Sequence, residues 1–109
     1  MNLQYLPEIE IYLSELIELL YDKGYFSFPD QAIDYVYKIR EYIENEIQTV
    51  HKRKAPEHFL QYGKDMSFFI YKANNHTSWY IFFQQQDDTY LIRYITNNHV
   101  SAKYLYPIY

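Results

Sequence analysis

Two side chains near the C-terminal end of the chain have the chemistry for phosphate binding and proton transfer, Arg93 and His99. Arg93 lies within the apolar run Thr89–Thr96, and a guanidinium binds phosphate oxygens through a rigid fork of N–H groups. His99 follows Asn97-Asn98, and an imidazole near its ordinary pKa is the usual proton carrier at neutral pH. If this stretch reaches a working surface, Arg93 is the candidate to meet a phosphate and His99 the candidate to move a proton.

Strand geometry limits how these two groups can meet. Alternation along a strand places Leu91, Arg93 and Ile95 on one face, and Tyr90, Ile92 and Tyr94 on the other. Six residues of extended chain would hold His99 about 20 Å from Arg93. The chain must therefore bend at Asn97-Asn98, and Asn is a common turn former.

Each of these side chains also has a plain structural interpretation. Arg93 could pair with Asp87 or Asp88 across the end of a hairpin, and such surface ion pairs are common and weak. His99 could serve only as a turn residue after the two asparagines. The residues alone leave both alternatives open.

Basic and histidine residues are concentrated in the second half of the chain. Lys52-Arg53-Lys54 is typical of a solvated turn or of a patch that steers phosphate towards a site. The four histidines are separated by 7, 18 and 23 residues, which matches no metal-ligand pattern. We expect neither a metal site nor a cofactor.

Composition indicates one small domain that spans residues 1–109. The chain has 49% hydrophobic residues and fifteen tyrosines, enough for one core. Its charge is divided, because residues 1–47 hold ten Asp and Glu against three Lys and Arg, while residues 48–109 hold four against seven. The sequence "MNLQYLPEIEIYLSEL" has neither a basic leader nor a membrane-length apolar run. We expect a cytoplasmic protein without a membrane segment.

Two helices are predicted in the first half of the chain. Apolar residues recur at three- and four-residue spacing in residues 7–23, with Pro7 in the first turn and Gly24 as a left-handed stop. A second helix is predicted over 28–49, where Ser27 caps its start and Asp30 takes the reciprocal capping-box position. Their short connection predicts an antiparallel helical hairpin.

Strands are predicted after Val50. The predicted elements, rich in aromatic and β-branched residues, are a short strand at Phe59–Tyr62 and longer strands at Met66–Ala73, Ser78–Gln85 and Thr89–Thr96. The third of these is apolar on both faces and should be central in an antiparallel meander. The helical hairpin can cover one face, while the other needs Val100–Tyr109 or a partner. The predicted class is α+β, with the hairpin on a three- to four-stranded antiparallel sheet.

The runs "APEHFLQYGKDMSFFIYK", "TSWYIFF", "YLIRYITNNHV" and "AKYL" resemble the RelE/ParE superfamily of type II toxin–antitoxin toxins. The resemblance is to its divergent branch, with a Thr-x-Trp-Tyr strand and an Asn-Asn-His end, and it covers nearly the whole chain. It implies that "MNLQYL" takes the place of the first edge strand of the family.

The resemblance implies one of two activities. RelE-like members cleave mRNA in the ribosomal A site without a metal, by attack of the 2′-hydroxyl. On that model Arg93 corresponds by position to the phosphate-clamping arginine, His99 and Tyr104 resemble the C-terminal acid–base and stacking residues, and Lys52, Arg53 and Lys54 occupy the place of the basic RNA-binding residues. ParE-like members keep the fold but act on DNA gyrase.

Two departures from the RelE-like pattern keep the alternatives open. The chain is acidic, with a pI near 5.5, and it has no clear glutamate for the general base. Two alternatives to the nuclease therefore stay open. One is a gyrase-directed or otherwise non-nucleolytic toxin, and the other is a non-enzymatic interaction module on the same fold. The expected partners are a small cognate antitoxin and the ribosome with its mRNA, or a second copy of the chain through exposed aromatic surface.

Overall fold

The structure is a computed structural model that describes residues 1–105. Its elements in chain order are β1 (Asn2–Tyr5), α1 (Pro7–Asp22), α2 (Pro29–Glu46), β2 (Arg53–Lys54), a 3₁₀ helix (Glu57–Tyr62), β3 (Ser67–Lys72), β4 (Ser78–Gln86), β5 (Thr89–Asn97) and α3 (Asn98–Leu105). The predicted α+β class is confirmed. None of the helices in residues 1–105 is both long and apolar enough to span a membrane.

The sheet has five strands in the order β1-β5-β4-β3-β2. The pairs from β2 to β5 are antiparallel, as the predicted meander requires. However, β1 lies at the edge and pairs with β5 in parallel, with Leu3 opposite Tyr90. The sheet is therefore mixed and has more strands than predicted, because the first residues and the short segment β2 both add an edge strand.

The two helices form the predicted hairpin, with one difference at the start of α2. Gly24 has a φ of 75° and allows the turn after α1. The residue before α2 is Phe28, and the Gln31 side chain accepts the backbone N–H groups of both Ser27 and Phe28. Ser27 and Asp30 therefore do not form the predicted capping box, because Gln31 lies where its longer side chain reaches back to both N–H groups.

Two apolar clusters lie on opposite faces of the sheet. The first, here called the helix-side cluster, joins buried residues of α1 and α2 to Trp79, Ile81 and Phe83 of β4. The second, here called the far-side cluster, contains Tyr80 and Phe82 of the same strand. The prediction that β4 is a central strand covered on both faces is confirmed, and each aromatic residue points to the face that alternation assigned to it.

The far-side cluster is covered by two elements, the 3₁₀ helix from the middle of the chain and α3 from its C-terminal part. The predicted strand at Phe59–Tyr62 is instead part of the 3₁₀ helix, which follows Pro56. Its Phe59 is 1% exposed and stacks on Phe82, with ring centroids 4.4 Å apart. Helix α3 contributes Leu105, which is fully buried. The C-terminal segment thus covers this face as expected, as far as residue 105, and residues 106–109 lie outside the described residues.

A β-bulge at Arg93 breaks the alternation of β5. Phe82 pairs with Tyr94 and the next residue, Phe83, pairs with Ile92, so Arg93 is the extra residue in β5. Ile92 and Ile95 consequently both join the helix-side cluster, although simple alternation would put them on opposite faces. The prediction that Arg93 shares a face with Ile95 is therefore wrong, because the bulge shifts the phase of the strand by one residue.

Candidate functional site

Arg93 is held by the 3₁₀ helix. Its Nε donates a hydrogen bond to the Tyr62 carbonyl oxygen at 2.8 Å, and its Nη1 donates a longer one to Gln84 Oε1 at 3.4 Å. It does not pair with Asp87 or Asp88 across the hairpin end, because the bulge turns it towards the 3₁₀ helix. The remaining Nη2 has no protein partner within residues 1–105. Arg93 lines a cavity of about 490 Å³.

Tyrosine side chains line the same cavity as Arg93. The rings of Tyr62 and Tyr94 stack with centroids 3.7 Å apart and planes inclined by 5°, and Tyr94 lines the cavity together with Tyr12. Burial, and secondly the hydrogen bond to Tyr62, raises the pKa of Tyr94 to about 12. Burial also raises the pKa of Tyr12. Both phenols are therefore neutral at physiological pH and can donate hydrogen bonds.

Tyr104 lies on α3 and packs against the start of the 3₁₀ helix. Its ring stacks on the His58 imidazole, with centroids 3.3 Å apart and planes inclined by 4°. Lys103 Nζ lies 4.9 Å from the centroid of the same ring. One face of the Tyr104 ring is thus covered by His58, which sequence reasoning did not associate with it.

The basic stretch lies at the opposite edge of the sheet from β1. Arg53 and Lys54 form β2, and both are exposed. Arg53 is opposite Phe68 and Lys54 is opposite Ser67 in the β2–β3 register, so the two side chains point to different faces of the sheet. Lys52 Nζ donates to the Val50 carbonyl oxygen at 3.1 Å. The three cations therefore do not converge on one point.

His99 is placed by a pair of related turns. Asn97 Oδ1 accepts the backbone N–H groups of His99 and Val100, at 2.9 and 3.1 Å, and so caps α3. Asn74 Oδ1 accepts the N–H groups of His76 and Thr77 in the same pattern, at 2.8 and 2.9 Å. In each turn an asparagine side chain accepts the backbone N–H of the histidine two residues later, so the backbone at both histidines is held in the same way.

Asn98 joins the two turns. Its side chain accepts the Ser78 N–H at 2.9 Å and donates to the His76 carbonyl oxygen at 3.1 Å. Across the same junction His99 Nε2 lies 2.9 Å from Thr77 Oγ1. The two Asn-Asn-His segments, residues 74–76 and 97–99, are therefore bonded together at one end of the sheet, on the two sides of β4.

A cavity of about 610 Å³ opens beside these turns. His76, His99 and Thr77 line one part of it, and the rings of Tyr25, Phe26, Tyr35 and Trp79 line another. Both imidazoles belong to exposed residues, so they are accessible to a ligand. This volume lies within the range that is usual for small-molecule binding pockets.

The rings of Tyr25, Phe26, Tyr35 and Trp79 are here called the aromatic wall of this cavity. A hydrogen bond connects two of them. Trp79 Nε1 donates to the Tyr35 hydroxyl at 2.9 Å, and the two rings meet edge to face with centroids 6.4 Å apart. Phe26 packs on Tyr35 at 5.6 Å. Burial raises the pKa of Tyr35, partly offset by the Trp79 hydrogen bond, so its hydroxyl stays neutral.

Arg93, His99 and Tyr104 do not form one cluster in the structure. Arg93 lines the smaller cavity, His99 lines the larger one, and Tyr104 stacks on His58. Within residues 1–105 the three side chains share no hydrogen bond or ring contact with one another.

Sequence reasoning missed His76 and Thr77 as neighbours of His99. The available signal was the repeated tripeptide Asn-Asn-His at residues 74–76 and 97–99.

No group of three or more His, Asp or Glu residues in the described part of the chain is arranged to hold a metal ion. Comparisons with protein-family models, with curated proteins and with solved structures found no match to this chain.

Proposed function

We propose that the protein is the toxin of a type II toxin–antitoxin pair, acting in the cytoplasm by cleaving mRNA on the ribosome. The RNA 2′-oxygen attacks the adjacent phosphorus, and the bond to the leaving 5′-oxygen breaks. The observation that carries the proposal is the setting of His99, an exposed imidazole on a turn held by Asn97, with one ring nitrogen bonded to Thr77 and an adjoining cavity of about 610 Å³.

His99 has the freedom that proton transfer requires. Its Nε2 is engaged by the Thr77 hydroxyl, which fixes the orientation of the ring. Its Nδ1 has no partner within residues 1–105. In the proposed reaction this nitrogen donates a proton to the leaving 5′-oxygen, a role for which an imidazole is the usual group. The proton of the attacking 2′-hydroxyl passes to solvent water as the new bond to phosphorus forms.

The other predicted residues take binding roles in this proposal. The free Nη2 of Arg93 contacts an RNA phosphate beside its own cavity, and Tyr104 extends the stacked surface that begins at His58. Lys52, Arg53 and Lys54 lie at the edge of the sheet and attract the RNA backbone by charge. The edge position of β1, which the family resemblance implies for "MNLQYL", supports the assignment to this class of toxin.

One observation favours a second candidate, a non-nucleolytic toxin or interaction module on the same fold. The groups proposed for phosphate binding, proton transfer and stacking lie at separate places, and the far side of the sheet is filled by Phe59 and Leu105. A surface of this kind suits protein binding as well as RNA binding. Cleavage assays separate the two candidates directly.

The test measures growth arrest and ribosome-programmed mRNA cleavage for the wild type, His99→Ala and His51→Ala. His51 is an exposed histidine far along the chain from both Asn-Asn-His turns, and its replacement is the matched control. Loss of a proton-transfer group lowers the rate by about a hundredfold or more, so we expect this loss for His99→Ala and full activity for His51→Ala.

Arg93→Ala is measured in the same assay, and circular dichroism verifies the fold of each variant. A wild type that arrests growth without cutting mRNA would establish the non-nucleolytic candidate. A nuclease whose His99→Ala and Arg93→Ala variants retain full activity would remove these residues from the mechanism.

We also propose that a small antitoxin binds the exposed apolar side chains of the helical hairpin. Several large apolar residues of α1 and α2 are solvent-exposed, namely Ile11, Leu19, Tyr21 and Ile33, and exposed apolar groups of this size are typical of interaction surfaces when they are contiguous. Co-expression with the product of an adjacent gene, followed by size-exclusion chromatography, tests this partner. A homodimer would appear in the same experiment as a concentration-dependent shift of the protein alone.

A further inference from the structure

We propose that the cavity between the two Asn-Asn-His turns and the aromatic wall is a binding site for one unpaired RNA nucleotide, with its base against the aromatic rings and its ribose-phosphate beside the imidazoles. This inference rests on the proposed action on RNA and specifies where the substrate is held. It assigns a role to His76, Tyr25 and the Asn74 and Asn97 amides, which the proposed proton transfer does not use.

The first support is the aromatic wall. Tyr25 is 69% exposed and lines the cavity together with Phe26, Tyr35 and Trp79. A planar base gains about 1–3 kcal/mol by stacking on an aromatic side chain, whichever base it is. The ring of Tyr25 is accessible to such a base. The hydrogen bond from Trp79 to Tyr35 holds these two rings of the cavity together.

The second support is the charge of the lining. Within residues 1–105, no Asp, Glu, Lys or Arg side chain lines this cavity. An acidic lining would repel the phosphate, and a strongly basic one would select phosphate irrespective of the base. A cavity without these four residue types, and with imidazoles at its polar part, suits a neutral heterocycle that carries a phosphate at one end.

The third support is the set of unused hydrogen-bonding groups. The Oδ1 atoms of Asn74 and Asn97 are engaged by the turns, and their Nδ2 groups have no protein partner in the described part of the chain. The same is true of both ring nitrogens of His76. These groups offer donors and acceptors of the kind that recognise base edges, 2′-hydroxyls and phosphate oxygens in single-stranded RNA.

A duplex cannot use this site. A base inside a helix is stacked on both faces and paired at its edge, so it must be unpaired and turned out before its face can reach Tyr25. The structure thus predicts selectivity for single-stranded RNA over duplex RNA of the same sequence.

Trp79 provides the readout for a binding experiment. It is the only tryptophan of the chain and it lines the cavity, so its fluorescence reports occupancy. The wild type, Tyr25→Ala and Tyr37→Ala are titrated with a single-stranded RNA hexanucleotide, and the wild type also with the corresponding duplex and with inorganic phosphate. Tyr37 is a comparably exposed tyrosine of α2, at 59%, and it does not line the cavity.

We expect the hexanucleotide to quench the wild type and Tyr37→Ala alike. Tyr25→Ala should bind about fivefold to a hundredfold more weakly, the range that corresponds to the loss of one stacked base. His76→Gln should also weaken binding, whereas the duplex and inorganic phosphate should give little quenching. Equal affinity for Tyr25→Ala and the wild type, equal quenching by duplex, or absence of quenching by the hexanucleotide overturns the inference.

The experiment separates this inference from the proposed function. If the protein binds RNA in a Tyr25-dependent way but does not cleave mRNA on the ribosome, the nucleotide site is supported and the proposed nuclease activity is contradicted. If the protein cleaves mRNA but its Trp79 fluorescence does not respond to RNA, the nuclease activity is supported and the nucleotide site in this cavity is contradicted.

Discussion

Gly63 lies directly against the side chain of Arg93. A Cβ atom added at Gly63 would clash with Arg93 Nε and come within 2.8 Å of its Cδ. The same nitrogen donates to the carbonyl oxygen of Tyr62, so Arg93 cannot move away without losing that hydrogen bond. We predict that Gly63→Ala lowers the free energy of unfolding by about 1–3 kcal/mol, the usual cost of forcing atoms into a packed site.

A double-mutant cycle isolates the contact behind this prediction. In an Arg93→Ala background the added methyl group meets no guanidinium stem, so Gly63→Ala should cost less than it does in the wild type. Urea unfolding of the four proteins measures the difference. Equal costs in the two backgrounds would show that backbone conformation at Gly63, and not the contact with Arg93, determines the effect.

Phe59 anchors the 3₁₀ helix on the far side of the sheet. It is 1% exposed and stacks on Phe82, so Phe59→Ala should lower the free energy of unfolding by about 3–5 kcal/mol. The neighbouring Leu60 is 52% exposed, and Leu60→Ala should change stability by only about 0.5 kcal/mol. Thermal unfolding of both variants checks the contrast, and similar losses at the two positions would contradict the assigned orientation of the helix.

Tyr5 should make stability depend on pH in the alkaline range. Burial raises its pKa from 10.0 to about 12, against the opposing effect of Arg40. Between pH 10 and pH 12 the unfolded phenol is ionised while the folded one stays protonated, so the contribution of Tyr5 to stability is complete below pH 10 and is lost as the pH rises. We expect the free energy of unfolding of Tyr5→Phe to fall less steeply across this window than that of the wild type.

The same substitution tests the environment of the Tyr5 hydroxyl at neutral pH. Its Oη is buried and makes no hydrogen bond of good geometry within residues 1–105. The Arg40 guanidinium lies 4.7 Å from the ring centroid and opposes the effect of burial on the pKa of Tyr5. Phenylalanine keeps the ring and removes the unpaired hydroxyl, so stability should be unchanged or raised by about 1 kcal/mol. A clear loss of stability would mean that the hydroxyl has a partner.

Gln31 should matter more than Asp30 at the start of α2. Gln31 Oε1 accepts the N–H groups of Ser27 and Phe28, and we expect Gln31→Ala to cost about 1 kcal/mol, as the loss of a cap does. Asp30→Ala removes only a favourable charge near the helix N-terminus, worth about 0.3–1 kcal/mol. The salt dependence of unfolding separates the two, because added salt screens the Asp30 effect and leaves the Gln31 effect. A Gln31→Ala variant with wild-type stability would contradict the observed cap.

The long helices and the three long strands were predictable because each carries a strong periodic pattern. The stripe of α1 reaches the core through Ile9, Leu13 and Leu16, and β3, β4 and β5 begin and end within one residue of their predicted limits. In α2 one predicted buried position is wrong. In the sequence of α2, Ile33, Val36 and Ile39 recur at three-residue spacing, which predicts that all three lie on the buried face. Ile33 is instead 49% exposed, while Ala32 is fully buried. At the start of α2 the buried position is therefore one residue earlier than the three-residue spacing predicts.

Short elements were not predictable, because tertiary contacts decide their conformation. The aromatic run Phe59–Tyr62 has the composition of a strand, yet it forms a 3₁₀ helix that places Phe59 and Tyr62 against the far side of the sheet. The bulge at Arg93 has no sequence signal, since a single extra residue in a strand leaves the composition unchanged.

The site was only partly accessible from the sequence. His99 was identified as a candidate, and the bend at Asn97-Asn98 does turn the chain, into α3. Its surroundings depend on the β4–β5 register, which sets Trp79 opposite Asn97 and so brings His76 and Thr77 alongside. That register follows from cross-strand packing over the whole hairpin, which short motifs do not encode.

The parallel pairing of β1 with β5 also has a consequence for the order of folding. The helical hairpin and the β3–β5 meander join segments that are adjacent in sequence, whereas residues 2–5 must find residues 89–92. During synthesis on the ribosome, β1 therefore has no place in the sheet until β5 has been made. Closure of such a distant pair is slow compared with local pairing, so a nascent chain already carries α1 and α2 while its sheet is still incomplete.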